Sequence, residues 1–541
     1  MYQTGLLVLT RPFANLRQNI PSMLQQVEKL VENTLYIHIQ PTTQTSTSKP
    51  HDIFKLRHVS CSTDFRSVMR EFYSTSASIC THLDVRILLG HVTKHQNNEL
   101  WETGYNLKKS CDIVLFDDEK YVSKDKNLQN QLADYLVQNF KMKSIPNFDI
   151  LKESAQDNLL HDVDSTQGEM LNLYDYVCLG GTFDRLHVGH KMMLGEACLL
   201  CKSCLTCGVT EQNMNKKKTL LELIQPIDER ISVVVNFIED VKPTIKHKVV
   251  PISDMFGPTI TDPDLQCIVL SPETQKGGGI INQEREKKGM QKLDEYVIEI
   301  VEDICHNEYE EMKVSSSSLR KRILGTLIKP VVQKDDIPSV PYLIGVTGSV
   351  CSGKSSICKR LEGLGATLVN CDLLGHKVYV KGMLAYDKLI EEFGREIIGE
   401  DGEINRKALG EIVFSNPEKL NFLNNTVWPE IRRLAKEEII QHKSEGKKVI
   451  VLEAALLLEA GWDDLVHEVW TAIIPRDEAI KRMIDRNRFS ETEAAKRVDS
   501  QMSNEERWQK SNVVLCSLWE YEYTQQQVEK AWQLLQKRCS L

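Results

Sequence analysis

The chain has 541 residues, room for three or four domains at roughly 150 residues each. Apolar side chains make up 41% and charged ones 26%, which excludes a core-less, highly charged chain, and the net charge of −9 excludes a general binder of polyanions such as nucleic acid. No apolar run approaches the roughly 18 residues needed to cross a bilayer, so no transmembrane segment is expected.

In chain order, residues 6–9 read as a buried strand, 20–31 as a helix and 35–39 as a second strand. No acidic residue precedes Glu28, while Arg11 and Arg17 stand among apolar and hydroxyl residues, a composition shared with mitochondrial transit peptides. The strand and helix patterns argue the other way. The expected location is therefore the cytoplasm, with a mitochondrial pool as the second reading. A polar, low-complexity loop spans 41–50. Helical patterns at 65–72 and 128–140 alternate with strand-like runs at 85–89 and 113–116, which predicts an α/β region over 1–140. Residues 141–170 read as a linker. Nothing in 1–165 carries a phosphate-binding or catalytic motif. Its expected role is regulation, targeting or binding of protein partners, and the chemistry deduced below is expected to survive its deletion. No internal repeat is visible.

The fifteen cysteines, an odd number spread through packed-looking segments, imply reduced thiols in a cytosol-like compartment. Cys198, Cys201, Cys204 and Cys207 have iron–sulfur-like spacing without its usual context. A three-residue step in a helical pattern accounts for them as core.

The second region, 171–329, opens on the apolar strand 176–179, followed at once by GGTFDRLHVGH and a helical KMMLGEACLL. His187 and His190, three apart at a helix start, face the same way and flank an amide-rich, positive helix end that attracts phosphate. Attack on the α-phosphate of a nucleotide needs donors on its oxygens as charge builds, and little covalent chemistry.

This region resembles the HxGH nucleotidyltransferase superfamily, most closely phosphopantetheine adenylyltransferases of the eukaryotic and archaeal type. The similarity extends to Lys216, Lys217 and Lys218, to the D-x-x-G-P loop at 254–258, to S-x-E-T at 271–274, to Asn282 and Arg285, and to the serine-rich 314–320. The resemblance implies that Thr182, His187 and His190 hold ATP phosphates, with one clustered lysine across the transition state. It places Gly181, Phe183, Lys217, Arg285, Ser315, Ser316, Ser317 and Arg320 around the nucleotide.

A Pro-containing connection at 330–341 leads to the third region, 342–541. Its apolar run 342–347 enters Gly348, Ser349, Val350, Cys351, Ser352, Gly353, Lys354 and Ser355, then Ser356, a full G-x-x-x-x-G-K-S loop between strand and helix. Loop amides wrap a β-phosphate, Lys354 neutralises β/γ charge, and the Ser355 hydroxyl is suited to Mg²⁺. Asp372, at the end of the strand-like 367–371, is placed to orient an acceptor hydroxyl. Glu453, ending the apolar 449–452, is suited to a second-shell magnesium acid. Arg482, Arg486 and Arg497 lie on helical patterns able to close as a lid.

The third region resembles dephospho-coenzyme A kinase, with His376 and Arg406 among the matching positions. It departs at Glu453, where Asp is usual, at Trp428 before Pro429, where His is usual, and at 513–517, where a strand ending in Asp-Asn is usual. Together the two regions resemble the bifunctional coenzyme A synthases. The fold implied is α/β throughout: an N-terminal α/β region, a Rossmann-like HxGH domain, and a P-loop kinase with a parallel sheet and helical lid. The implied substrates are ATP, 4′-phosphopantetheine and dephospho-CoA, with Mg²⁺. A different HxGH enzyme fused to another small-molecule kinase, or a binding protein with one decayed site, are the competing readings.

Overall fold

The computed structural model describes residues 1–41, 56–94, 100–101, 103–118, 126–143, 146–151, 168–414 and 416–539. The loop expected at 41–50 and most of the linker expected at 141–170 lie outside them. Two compact units divide the chain, 1–319 and 320–541.

The first unit holds two parallel five-stranded sheets. In the first sheet the strands are β1 (Tyr2–Leu9), β2 (Val31–Ile39), β3 (Asp84–Ile87), β4 (Ile113–Phe116) and β5 (Asn147–Ile150), in spatial order β3-β2-β1-β4-β5. The second contains β6 (Tyr174–Gly181), β7 (Cys201–Thr210), β8 (Lys246–Ile252), β9 (Cys267–Leu270) and β10 (Asp294–Val297), in order β8-β7-β6-β9-β10. The two orders are the same, third-second-first-fourth-fifth. The chain thus repeats one doubly wound architecture that its sequence does not betray.

Helix α1 (Phe13–Glu28) begins seven residues earlier than expected and ends three earlier, the end because Val31 already opens β2. Leu6, Leu7 and Leu9 of β1 are fully buried, in the middle strand of the sheet. Helix α2 (Thr63–Ile79) turns Phe65, Val68, Met69, Phe72 and Tyr73 inward at helical spacing. These join α4 (Val188–Leu200) and α5 (Ile227–Val241) in one apolar core shared by both sheets. Residues 1–151 and 168–319 are therefore not two separable lobes. Cys198 lies in the last turn of α4, whereas Cys201, Cys204 and Cys207 lie on β7 rather than continuing a helix; all four are buried. All fifteen cysteines are unpaired, and among the described residues no group of three or more His, Cys, Asp or Glu is placed to hold a metal.

The second unit has a sheet of β11 (Tyr342–Gly348), β12 (Thr367–Asn370), β13 (Val449–Glu453), β14 (Glu468–Ile473) and β15 (Val513–Cys516), all parallel, in order β12-β13-β11-β14-β15. Every residue of β13 and β14 is buried, as parallel strands covered on both faces require. Alternate side chains feed two cores, Leu343, Ile450 and Leu452 on one face and Ile344, Val449 and Val451 on the other. Residues 325–328 pair with β15 through Gly325 N–H to Val514 O (2.9 Å) and Ile328 N–H to Asn512 O (2.8 Å), so the tail expected to close the second region belongs to this unit. Among the described residues no helix is long and apolar enough to cross a membrane.

Candidate active sites

In the second sheet β6 ends at Gly181, between β7 and β9, and α4 starts at Val188. The connecting loop leaves the strand edge where doubly wound sheets bind ligands. Phe183 and Arg185 take left-handed backbone (φ 51° and 49°), which folds the loop back on itself. Its shape is fixed from below. The buried Asp184 carboxylate accepts from Gln225 N–H and from Arg185 Nη1, each at 3.0 Å. The buried Arg230 donates from Nη1 to the carbonyls of Thr182 (2.7 Å) and Thr210 (2.9 Å).

His187 stands at the N-cap position of α4, with no side-chain capping hydrogen bond, and His190 is the helix's third residue. Their rings stack with centroids 3.8 Å apart, and the Phe183 ring lies 5.2 Å from that of His190. Gly189 is what lets them meet: a Cβ there would stand 3.3 Å from two atoms of the His187 ring. Although His190 keeps a solvent-facing edge, dense packing around the ring and then the charge of Lys218 pull its pKa down to about 3. It is therefore neutral at physiological pH. Its Nδ1 is buried with no hydrogen-bond partner among the described residues. Such an atom, at a positive helix end, suits an incoming ligand.

Helix α7 (Ser316–Arg322) starts beside this pair. Ser316 donates to the Asp184 carbonyl (2.9 Å), and its Oγ lies 3.5 Å from His187 Nε2. Ser315 accepts from Ser318 N–H (3.1 Å) and so caps its own helix, with Ser317 on the same turn. Arg320, on the last turn, is fully buried and counted with the second unit.

One expectation needs correcting. Arg285 does not reach for phosphate: it is fully buried, and its guanidinium donates to the carbonyls of Gln291, Thr259, Asp262, Pro263 and Leu265. The four Nη N–H groups are committed to holding the 259–265 loop, and Nε–H is committed to Gln291. Lys216, Lys217 and Lys218 are all exposed, and the charge of Lys218 adds to burial in lowering the pKa of His190.

In the second unit the loop after β11 wraps into α8 (Lys354–Gly363). Gly353 has φ 82°, and a Cβ there would stand 2.7 Å from Ser517 Oγ, so glycine is required on both counts. Lys354 Nζ bridges two carboxylates, Asp372 Oδ2 (2.8 Å) and Glu453 Oε1 (2.7 Å). Burial opposes its charge, but Asp372 and Glu453 outweigh that and hold its pKa above the ordinary lysine value. Ser355 Oγ donates to Glu453 Oε1 (2.5 Å), and Asn370 Nδ2 to Glu453 Oε2 (2.9 Å). The structure thus brings the expected Lys354, Ser355, Asp372 and Glu453 to one point. Asp372 opens α9 (Cys371–Lys377), and His376 one turn on feels first burial, then Arg406, both lowering its pKa, with Asp372 opposing.

Helices α11 (Arg476–Asn487) and α12 (Glu491–Asp499), which carry the arginines expected to form a lid, rest on the loop through Val350 and Cys351, which pack with Ile480, Met483 and Ala494. Cys351 is therefore a packing residue. Arg482 donates to the Cys351 carbonyl (3.4 Å) and to Ser517 Oγ (2.9 Å), and Arg486 acts electrostatically on the Cys351 thiol. Arg497 instead lies over the Phe489 ring, 4.3 Å from its centroid. Sequence reasoning missed Gln501, which holds Val350 N–H (2.9 Å) and belongs to no motif, and gave Ser517 no role because it read 513–517 only as a departure from the family. The hydroxyls of Ser349 and Ser352 are buried without partners among the described residues, inside the loop.

Comparison with known proteins matches residues 3–145 to a family described as COASY N-terminal domain, 178–322 to one described as Cytidylyltransferase-like, and 342–517 to Dephospho-CoA kinase. The chain is similar to the dephospho-CoA kinase of Carboxydothermus hydrogenoformans, at 39% identity over 186 residues, 34% of this chain and 90% of that one. It is also similar to that of Dehalococcoides mccartyi (36%, covering 32% and 87%) and that of Geobacter sulfurreducens (35%, covering 35% and 96%).

Proposed function

The chain belongs to the dephospho-CoA kinase family through its C-terminal third, and from that premise we propose that its two sites carry out consecutive steps on one substrate. It is a bifunctional enzyme of CoA biosynthesis, a nucleotidyltransferase followed by a kinase, with ATP as co-substrate. At the first site a phosphate oxygen of 4′-phosphopantetheine attacks the α-phosphorus of ATP and pyrophosphate leaves. Neutral His190 donates a hydrogen bond to the α-phosphate as its charge grows, and His187, at the N-cap position, stands beside the helix-end amides that face the same oxygens. Lys218 supplies the positive charge opposite. Thr182 and Ser316 close the walls.

At the second site the ribose 3′-hydroxyl of dephospho-CoA attacks the γ-phosphorus of ATP. The β- and γ-phosphates displace the carboxylates from Lys354 Nζ, which frees Asp372 to accept the hydroxyl proton. Ser355 and Glu453 form a hard-oxygen donor set of the kind Mg²⁺ prefers, with the phosphates completing it, so they fit that ion. When bound, Mg²⁺ would neutralise charge on the transferred phosphoryl group. Arg482 and Arg486, beside the loop, exclude water as the lid closes.

The observation that carries this reading is the convergence of Lys354, Ser355, Asp372 and Glu453 downstream of a second, separate strand–loop–helix site in one chain. Fifteen unpaired cysteines support a reducing, cytoplasmic compartment. With 4′-phosphopantetheine, MgCl₂ and γ-labelled ATP, the purified protein is expected to release one labelled pyrophosphate and one ADP per CoA formed. Pyrophosphate without ADP, or ADP without pyrophosphate, would overturn the two-step reading.

A further inference from the structure

The N-terminal region copies the strand order of the adenylyl-transfer domain but lacks its chemistry. Where the loop after β6 offers its helix end to a ligand, the loop after β1 is closed from within. The buried Asp117 carboxylate accepts from Thr10 N–H (2.8 Å), Thr10 Oγ1 (2.8 Å) and Arg11 N–H (3.1 Å). A fixed carboxylate takes the donors that an anion would need. The same region meets the catalytic helix α4 with matched charges. Lys191, next after His190 and itself buried, places Nζ 2.6 Å from Asp84 Oδ1, at the start of β3. One and a half turns on, the fully buried Glu196 is paired to Arg70 of α2, which also donates to Tyr296 OH (2.8 Å). Asp84 is itself held by Arg86 (2.8 Å), which reaches Asp240 of α5 (2.6 Å), and Asp240 also accepts from Tyr36 OH (2.8 Å). Two oppositely charged side chains of α4 are thus each answered by a residue of the N-terminal region.

We propose that the N-terminal region is a brace for the adenylyl-transfer site, and that Asp84, through the buried Lys191 ammonium, is a positioning residue that fixes the first turn of α4 and hence the His187–His190 pair. The reason is geometric. Without a counter-charge the Lys191 ammonium must turn toward water, and the backbone that carries it is the backbone of His190. The stacked rings then leave the position from which they stabilise the α-phosphate, and a misplacement of about 1 Å can cost about 10²-fold in rate. This rests on the reading of His187 and His190 given above. It replaces the expectation that both activities survive deletion of residues 1–165, since that deletion would bare Lys191, Glu196 and Asp240 together.

The test uses the full chain, whose kinase site is an internal control. Asp84→Asn is expected to lower kcat of pyrophosphate formation by about 10- to 100-fold, with KM for ATP and phosphorylation of supplied dephospho-CoA unchanged. The double variant Asp84→Asn with Lys191→Met removes both charges and is expected to recover most of the lost kcat. Thermal unfolding of each variant separates misplacement from loss of folded protein. The proposal is overturned if Asp84→Asn keeps wild-type kcat, or if the double variant stays as slow as the single one, or if the loss of rate equals the loss of folded protein. Should the wild-type protein itself form no pyrophosphate, it is the reading of the histidines that fails, not the brace.

Discussion

Lys218 and Arg285 show how little a motif says about which way a side chain points. Both sit in segments that match a nucleotidyltransferase pattern, yet one sends its charge toward His190 while the other gives every donor to backbone carbonyls. The three lysines cannot be told apart in a linear string, because adjacency does not say which charge acts on His190. Lys218→Ala is therefore expected to lower kcat of adenylyl transfer by about 10²-fold, the scale of one lost transition-state donor, whereas Lys217→Ala stays within about threefold. Initial-rate measurements of pyrophosphate release decide between them. The phosphate loop was more legible: a loop that must surround a phosphate leaves its glycines, lysine and serine in fixed order, so Lys354 and Ser355 could be placed before any fold was known. Ser517 and Gln501 could not, because they are brought to the loop from 165 and 151 residues away by the sheet.

At the scale of elements, strands in parallel sheets declare themselves as apolar runs, and β1, β2, β4, β6, β11 and β13 were all visible in that way. Boundaries were harder. Helix α1 ends at Glu28 because β2 takes Val31, and the α4–β7 junction hides inside CLLCKSC, where thiols suit helix and strand equally. The repeat of strand order was illegible because topology is conserved by packing and not by residue identity. Where β2 and β3 end, His38 and His91 lie buried with ring centroids 4.3 Å apart. Burial lowers the pKa of His38 to about 4 and that of His91 well below normal. Both therefore fold as neutral groups. An unfolded histidine binds its proton near pH 6.5, so their contribution is complete above that pH and is lost as pH falls toward 4. Between pH 7 and 5 His38 is expected to remove on the order of 2 kcal/mol from the first unit, and His91 acts in the same direction. Calorimetry should show that unit's transition moving to lower temperature across this range, with a shallower slope in His38→Gln; an unchanged slope would mean the histidines already titrate normally.

At the scale of the whole molecule, two nucleotide sites on separate units make the chain a short assembly line. Each unit has its own sheet or sheets and its own core, so damage at one site leaves the other folded. The adenylyl-transfer unit is the larger because it includes a second copy of its own architecture, with Asp117 where a ligand would bind and Asp84 and Arg70 turned toward the working helix. The composition of residues 1–140 suggested an independent region; what it could not reveal was that the face of its sheet would be finished by α4 and α5. The most direct measurement of the central claim uses two single variants of the full chain and two separate assays. His190→Ala should abolish pyrophosphate release from ATP and 4′-phosphopantetheine yet still convert supplied dephospho-CoA to CoA, while Lys354→Ala should release pyrophosphate at the wild-type rate and stop at dephospho-CoA. Loss of both products in either variant would contradict two independent pockets in one chain.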